Sequence, residues 1–289
     1  MRRKVNDIRE LTQIILNKNV FLGIKYRMIM VTAAQLIACI EEFAPLRLQE
    51  DFDNSGLLVG QPDRPVHGAL LAVDLTEQVM EEALATHCDM IITHHPLIFR
   101  GLKHLCGETA VERCVAAAVR NDLTVYACHT NIDNVRHGVS WKMAEKLHIE
   151  DLRILQPRPD CPDAGLGVIG ALPVPVRSDA FIRQVRQQFH TPCIRCTTPP
   201  DTVQRIALCG GSGGDLWTAA VRSGADVLIT ADVRYHQFLD AEQRIWLMDI
   251  GHYESEQYTK EIFYAIISEK FPTFAVHFSK VNTNPIKYL

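Results

Sequence analysis

Nowhere does this 289-residue chain hold the roughly 18 consecutive apolar residues that a membrane-spanning helix needs, although 47% of its residues are hydrophobic. A surplus of positive charge is also missing. Thirty Lys and Arg stand against 34 Asp and Glu, for a net charge of −4. That balance does not suggest binding to nucleic-acid phosphates. Paired cysteine motifs are absent as well. The nine cysteines are odd in number and scattered in apolar contexts such as those of Cys39 and Cys128, so no disulfide framework is expected and a reducing, cytoplasmic compartment is. The lone CxxC, Cys193 to Cys196, lacks the second pair of a zinc site and the helix start of a thioredoxin-like motif, and is read as structural. The glycine-rich run Cys209–Asp215 (CGGSGGD) has neither the Gly-Lys-Ser/Thr of a P-loop nor GxGxxG spacing. It reads as a tight turn, with a ligand loop as the alternative.

What is present begins with a charge asymmetry. The first 27 residues carry seven Lys/Arg and two acids, Asp7 and Glu10. They show no clean apolar signal core and no small-residue cleavage site. Met28 and Met30 precede a normal helix opening at Thr32. Residues 1–29 are therefore expected to be an extension outside the fold, from an upstream start or a frayed segment rather than a targeting peptide.

From Thr32 onward the pattern alternates. Thr32–Phe43 has helical periodicity, and Pro45 ends it. Short apolar runs at 69–73, 90–92 and 124–128 predict strands, separated by helices at 77–85, 108–120 and 138–147, with Thr76 as an N-cap. Gln156–Asp163 reads as a linker. Strands at 167–172, 205–208, 227–229 and 246–248 follow, with helices at 178–189 and 215–222 and a last helix from about 254 to 270. Continuous apolar strands between helices predict an α/β fold with mostly parallel sheets covered on both faces.

In such sheets the chemistry gathers at the carboxyl ends of strands. His94 and His95 follow the second predicted strand, His129 and Asp133 the third, and His252 and Glu256 the last. At a strand end, with Pro96 forcing a turn, adjacent imidazoles can bend toward one cleft. His252 and Glu256, four apart at a helix start, share a face. Asp133 is open between a ligand and an Asx turn. An acid-rich helix start explains Glu254 and Glu256 but not His252, whose charge is unfavourable there. Imidazole and carboxylate in this mixture suit zinc, iron or manganese. Five ligands, His94, His95, Asp133, His252 and Glu256, exceed what one zinc with an open position takes, so two divalent ions about 3.5–4 Å apart are expected, lowering the pKa of a bridging water. Such a centre attracts anions such as phosphates. Asp232 and His236 open another helix and are candidates for substrate contact.

Six segments in this order, DNSGLLVG (53–60), THHPLIF (93–99), HTNID (129–133), CGGSGGD (209–215), TADVRYH (230–236) and GHYESE (251–256), resemble the Nif-three-like family, also labelled domain of unknown function 34 or GTP cyclohydrolase I type 2 homologues. The resemblance runs from about Thr32 to the C-terminus. It implies two intertwined α/β lobes, three-layer sandwiches, with a dinuclear metal site in the cleft between them, in a compact form without the inserted domain of some members. The lobes are placed at about 30–150 plus 225–289, and at 151–224. His95 and Asp133 would hold one metal, His94 and His252 the other, and Glu256 would bridge. A toroidal homohexamer is implied too. So is hydrolytic opening of the guanine imidazole ring of a nucleotide substrate, GTP, to formate and dihydroneopterin triphosphate; His129 and His236 are the candidates to move protons in it. A dinuclear phosphoesterase or amidohydrolase on another substrate is the runner-up within the same chemistry. A metal-binding or interaction protein without turnover is the alternative from a different class.

Overall fold

The computed structural model describes residues 30–289, and the basic N-terminal extension lies outside the described residues. Thr32–Leu289 forms one compact unit built on two sheets. The first sheet contains β1 (Gly56–Val59), β2 (Gly68–Ala72), β3 (Met90–Thr93), β4 (Thr124–Ala127) and β11 (Ala275–Phe278), in the order β1-β4-β3-β2-β11. β4, β3, β2 and β11 run parallel, and only β1 is antiparallel. The second sheet contains β5 (Glu150–Pro157), β6 (Gly165–Arg177), β7 (Arg195–Cys196), β8 (Thr202–Leu208), β9 (Val227–Thr230) and β10 (Trp246–Asp249), in the order β5-β6-β8-β9-β10-β7. It is parallel only across β8, β9 and β10, with antiparallel pairs on both sides.

The strands β2, β3, β4, β9 and β10 are buried along their whole length and mostly apolar, with Thr or Asp only at an end, because both faces of each sheet are covered. On one face of the first sheet, Leu70, Ile91 and Val125 pack with Val79, Met80, Cys114 and Val115 of helices α2 (Glu77–Ala85) and α3 (Ala110–Arg120). On the other face lies α1 (Ala33–Phe43), where the Tyr126 hydroxyl donates to Glu41. The second sheet buries Ile206, Val227 and Trp246 against α5 (Val139–Lys146) and α6 (Ser178–Phe189). Its other face buries Ala207, Leu228 and Leu247 against α7 (Trp217–Arg222) and α8 (Tyr235–Ala241). Thr32, Thr76 and Thr109 each accept the backbone N–H three residues on, capping α1, α2 and α3, and at α1 Gln35 completes a reciprocal box.

Several boundaries differ from the sequence reading. The linker predicted at Gln156–Asp163 begins inside β5 and turns directly into β6, so it is a hairpin connection. β5 escapes a periodicity reading because, at the sheet edge, most of its residues are exposed. The strands at 227–230 and 246–249, grouped with the first lobe above, hydrogen-bond in the second sheet, β9 to β8 and β10 to β9. The chain returns to the first sheet only through β11. The long terminal helix is two helices, α9 (His252–Glu256) and α10 (Thr259–Lys270), broken at Gln257 and Tyr258. Lastly, the segment after His129 is a one-turn helix, α4 (Thr130–Asp133).

Trp246 is 1% exposed and its indole N–H has no hydrogen-bond partner. Its contribution is therefore packing alone. Trp246→Phe is expected to leave stability within about 1 kcal/mol, and Trp246→Ala to cost about 3–5 kcal/mol in chemical unfolding.

Candidate metal centre

The carboxyl end of β3 delivers both imidazoles. The backbone keeps pairing past the strand, with His94 N–H bonding to Ala72 and His95 N–H to Val73, so the two rings are rigidly presented. They diverge. The fully buried His94 turns toward β4, where its Nδ1 lies 3.1 Å from the Cys128 carbonyl. His95 turns the other way, and its Nδ1 lies 2.7 Å from Asp74, just past the end of β2. His129, at the end of β4, has its Nδ1 2.7 Å from Asp53, which also accepts from Thr130 N–H and from the Ser55 hydroxyl. His252 opens α9 with Nδ1 2.7 Å from Asp232.

The four rings therefore share one arrangement. Each Nδ1 faces an oxygen that can only accept, so a neutral ring keeps its proton there and offers the Nε2 lone pair. The Nε2 atoms converge. Those of His95 and His252 are 3.2 Å apart, and each lies about 3 Å from Glu256 Oε2, at 3.0 and 2.9 Å. His94 Nε2 lies 3.4 Å from the other oxygen, Glu256 Oε1, and 3.9 Å from Asp133. The His129 ring stands edge-on to those of His94 and His95, 5.3 Å from each between centroids. Two overlapping groups could hold a metal ion: His94, His95 and His129, and His95, His252 and Glu256.

The donors fit a cation. His94 Nε2, Asp133 Oδ1 and Glu256 Oε2 are buried without a hydrogen-bond partner. Buried polar atoms are seldom left so, and lone pairs facing one another at this range repel unless a positive ion lies between them. The protonation tendencies agree. Burial lowers the pKa of His95, but the neighbouring Asp74 and Glu256 carboxylates outweigh that and raise it to about 10. For His252 burial is likewise outweighed, by Asp232 and Glu256, and the value rises to about 11. Burial acts upward on Glu256, yet the neighbouring imidazoles hold it well below the usual carboxylate range. Asp133 is pushed well above that range by burial, with Glu256 adding to it. The pocket thus calls for positive charge, and two imidazolium rings at 3.2 Å cannot supply it without repelling each other. A divalent cation can, since imidazole nitrogen and carboxylate oxygen bind one at about 2.0–2.2 Å.

All five sequence-predicted ligands, His94, His95, Asp133, His252 and Glu256, meet here. His95 shares its carboxylate oxygen with His252, and His94 faces Asp133 and the other oxygen. The reason is local: adjacent residues at a strand end turn to opposite sides, which sends His94 to β4 and His95 to α9. His129, read as a proton carrier, also stands in one of the groups that could hold an ion, with His94 and His95. His236 does not join the site. It is exposed on α8, with its ring edge-on to Tyr235. Asp232 is the residue of that segment that matters. Asp53 and Asp74 were missed as orienting groups. The signal available was an acid in a polar turn and an acid closing an apolar strand, neither of which reveals a partner 76 or 21 residues away.

The glycine-rich run packs against this cluster. Gly211 has φ +61°, and a Cβ there would lie 2.2 Å from Glu256 Oε1. The N–H groups of Gly210, Gly211 and Gly213 are taken by Ser140, Ser255 and Thr230. The run is therefore a turn shaped for close approach to a buried carboxylate. A cavity of about 410 Å³ opens beside His95 and His252, walled by Asp74, Arg195, Asp232, Tyr253 and Tyr288 among others, which is within the range for small-molecule sites.

Two expectations follow from this geometry. Gly211→Ala places a methyl group on Glu256 and strains a left-handed backbone, so zinc affinity is expected to fall at least tenfold in a chelator-competition titration while the far-ultraviolet circular dichroism is retained. The pH dependence has a definite sign. An imidazole with a metal-free value near 10 or 11 still carries a proton at pH 7 to 9, and binding must expel it. Apparent affinity should therefore keep rising between pH 7 and pH 9. Calorimetry in buffers of different ionisation enthalpy should register at least about one proton released per ion, whereas ordinary histidines near 6.5 would give a plateau above pH 7.5.

Comparison with known proteins agrees with this architecture. Residues 31–285 match the model of the Duf34/NIF3 (NGG1p interacting factor 3) family. A Clostridium perfringens protein named GTP cyclohydrolase 1 type 2 homolog is 34% identical over 223 residues, covering 76% of this chain and 85% of its own length. A protein of the same name from Streptomyces coelicolor is 32% identical over 263 residues, covering 87% of this chain and 92% of its own. Among solved structures, a hypothetical protein from Staphylococcus aureus superposes with a TM-score of 0.83 at 26% identity, over 89% of this chain and 99% of that one. A Bacillus cereus protein related to NIF3 gives the same TM-score at 22% identity, over 90% of this chain and 100% of that one. With its two sheets, its strand-end histidines and a family match over nearly all its described length, the chain belongs to the Duf34/NIF3 family.

Proposed function

We propose that this protein is a metal-dependent hydrolase with two divalent ions, of zinc, iron or manganese, held by His94, His95, His129, Asp133, His252 and Glu256. The observation that carries this reading is Glu256. Its two oxygens face different donors, Oε2 toward His95 and His252 and Oε1 toward His94, so each oxygen could serve a different ion. Two such ions, when bound, supply activation of a water near neutral pH and polarisation of the bond under attack.

The chain's own groups set up that chemistry. Asp53, Asp74 and Asp232 hold the Nδ1 protons and so keep Nε2 basic and directed inward. Asp232 is half-exposed at the cavity wall and is placed to accept a proton from a bound molecule. Arg195, fixed by Asp249 and the Val233 carbonyl, offers a cation at the same wall. The substrate proposed is GTP, opened at its imidazole ring with water to give formate and dihydroneopterin triphosphate. The names of the relatives support testing GTP first.

Elemental analysis of purified protein is expected to find about two ions per chain, and Glu256→Gln to lose one or both. Formate release from GTP should depend on the added metal and fall at least about 100-fold in that variant, as for loss of a metal-organising group. Tight metal binding without turnover of GTP or other nucleotides would instead favour a metal-binding protein. Metal-free protein that takes up no zinc, iron or manganese would remove the hydrolase reading.

A further inference from the structure

Glu254 lies on α9 between the two metal-facing residues His252 and Glu256, yet it points elsewhere. It is 5% exposed, and its Oε2 occupies the space that a Cβ on Gly251 would take, 2.2 Å away. Its other oxygen accepts a hydrogen bond from Asn284 Nδ2 at 3.0 Å. One residue earlier in the C-terminal segment, the Thr283 hydroxyl donates to Asp74 Oδ2 at 2.7 Å. The opposite oxygen of Asp74 is the one that holds His95 Nδ1. Consecutive residues of the segment after β11 thus reach an acid on each of the two elements that the cluster joins: the loop after β2 in the first sheet, and α9 after β10 in the second.

The segment is itself well anchored. Ser279 N–H bonds to the Leu71 carbonyl, continuing the β11–β2 pairing, and the Ser279 hydroxyl and Lys280 N–H both bond to Glu82. Thr283 and Asn284 are therefore delivered from a fixed point on the sheet. Beyond them Pro285, Ile286 and Tyr288 line the cavity beside His95 and His252.

We infer that Thr283 and Asn284 are positioning residues for the metal centre: Thr283 locks Asp74 in the orientation that directs His95 Nε2 inward, and Asn284 fixes α9, and with it His252 and Glu256, through Glu254. This rests on the metal-centre reading above. Neither residue touches the cluster. They act through an acid that does, and through a helix that carries two of its members. An orienting carboxylate left free on one side samples other rotamers, and the imidazole it holds follows it.

The test separates this role from a merely structural one. Zinc affinity is measured by chelator competition for the wild-type protein and for Thr283→Val, Thr283→Ser and Asn284→Ala, with the visible spectrum of the cobalt-loaded forms as a second readout. Thr283→Val and Asn284→Ala are expected to weaken zinc about tenfold and to alter the cobalt spectrum. Thr283→Ser, which keeps the hydroxyl, should restore both. Unchanged affinity and spectrum in Thr283→Val and Asn284→Ala, or a Thr283→Ser variant as weak as Thr283→Val, would overturn the proposal. Wild-type protein that takes up no metal would overturn the metal-centre reading instead. Amide exchange, which needs no metal, then still decides the positioning role: faster exchange across α9 in Asn284→Ala and around His95 in Thr283→Val supports it, and unchanged exchange overturns it.

Discussion

Everything around the site answers one demand, the burial of the Glu256 carboxylate at 2% exposure with imidazole nitrogens on both of its oxygens. An ionised carboxylate taken out of water is costly unless it is closely paired. Here the compensation is built from three directions. Imidazoles come from β3 and from α9 itself, and the Gly210–Gly211 turn closes over the carboxylate with no side chain in the way. Ser255, next to Glu256 in sequence, takes the Gly211 N–H and donates to the His252 carbonyl, which ties the turn to the helix.

Because of that demand the two sheets are not independent. His94, His95, His129 and Asp133 follow strands of the first sheet, and His252 and Glu256 follow the last parallel strand of the second. The cluster is made only where the carboxyl ends of both sheets meet, the place where open α/β sheets present their reactive groups. The chain reinforces the junction elsewhere. Lys142 and Lys146 on α5 pair with Glu261 on α10, and β11 carries the terminus back to the first sheet beside β2. A cation in the cluster would add to this coupling, since binding that favours the assembled form stabilises it.

The inner parallel strands and most of the helices were legible in the sequence, for a physical reason. A strand buried on both faces is mostly apolar, so β2, β3, β4, β9 and β10 stand out as short apolar runs between helices. The edge strands did not stand out. β5 and β11 expose most of their residues and β7 has only two residues, so none of them carries a pattern. The sheet to which β9 and β10 belong was misassigned because local pattern does not reveal which neighbour a parallel strand will choose.

The same division runs through the site. The sequence by itself determined the donor chemistry: imidazoles and carboxylates, without thiolate, at the ends of three strands, and on α9 a spacing of four that puts His252 and Glu256 on one face. Residue type and helical periodicity are local properties and can be read from letters. Only the tertiary structure decided which donors share a seat, that His129 stands among them, that His236 does not, and that Asp53, Asp74 and Asp232 orient the rings. Those choices depend on contacts spanning from 20 to 157 residues along the chain. Which groups meet across such separations is set by how the two sheets pack, and no local pattern carries that information.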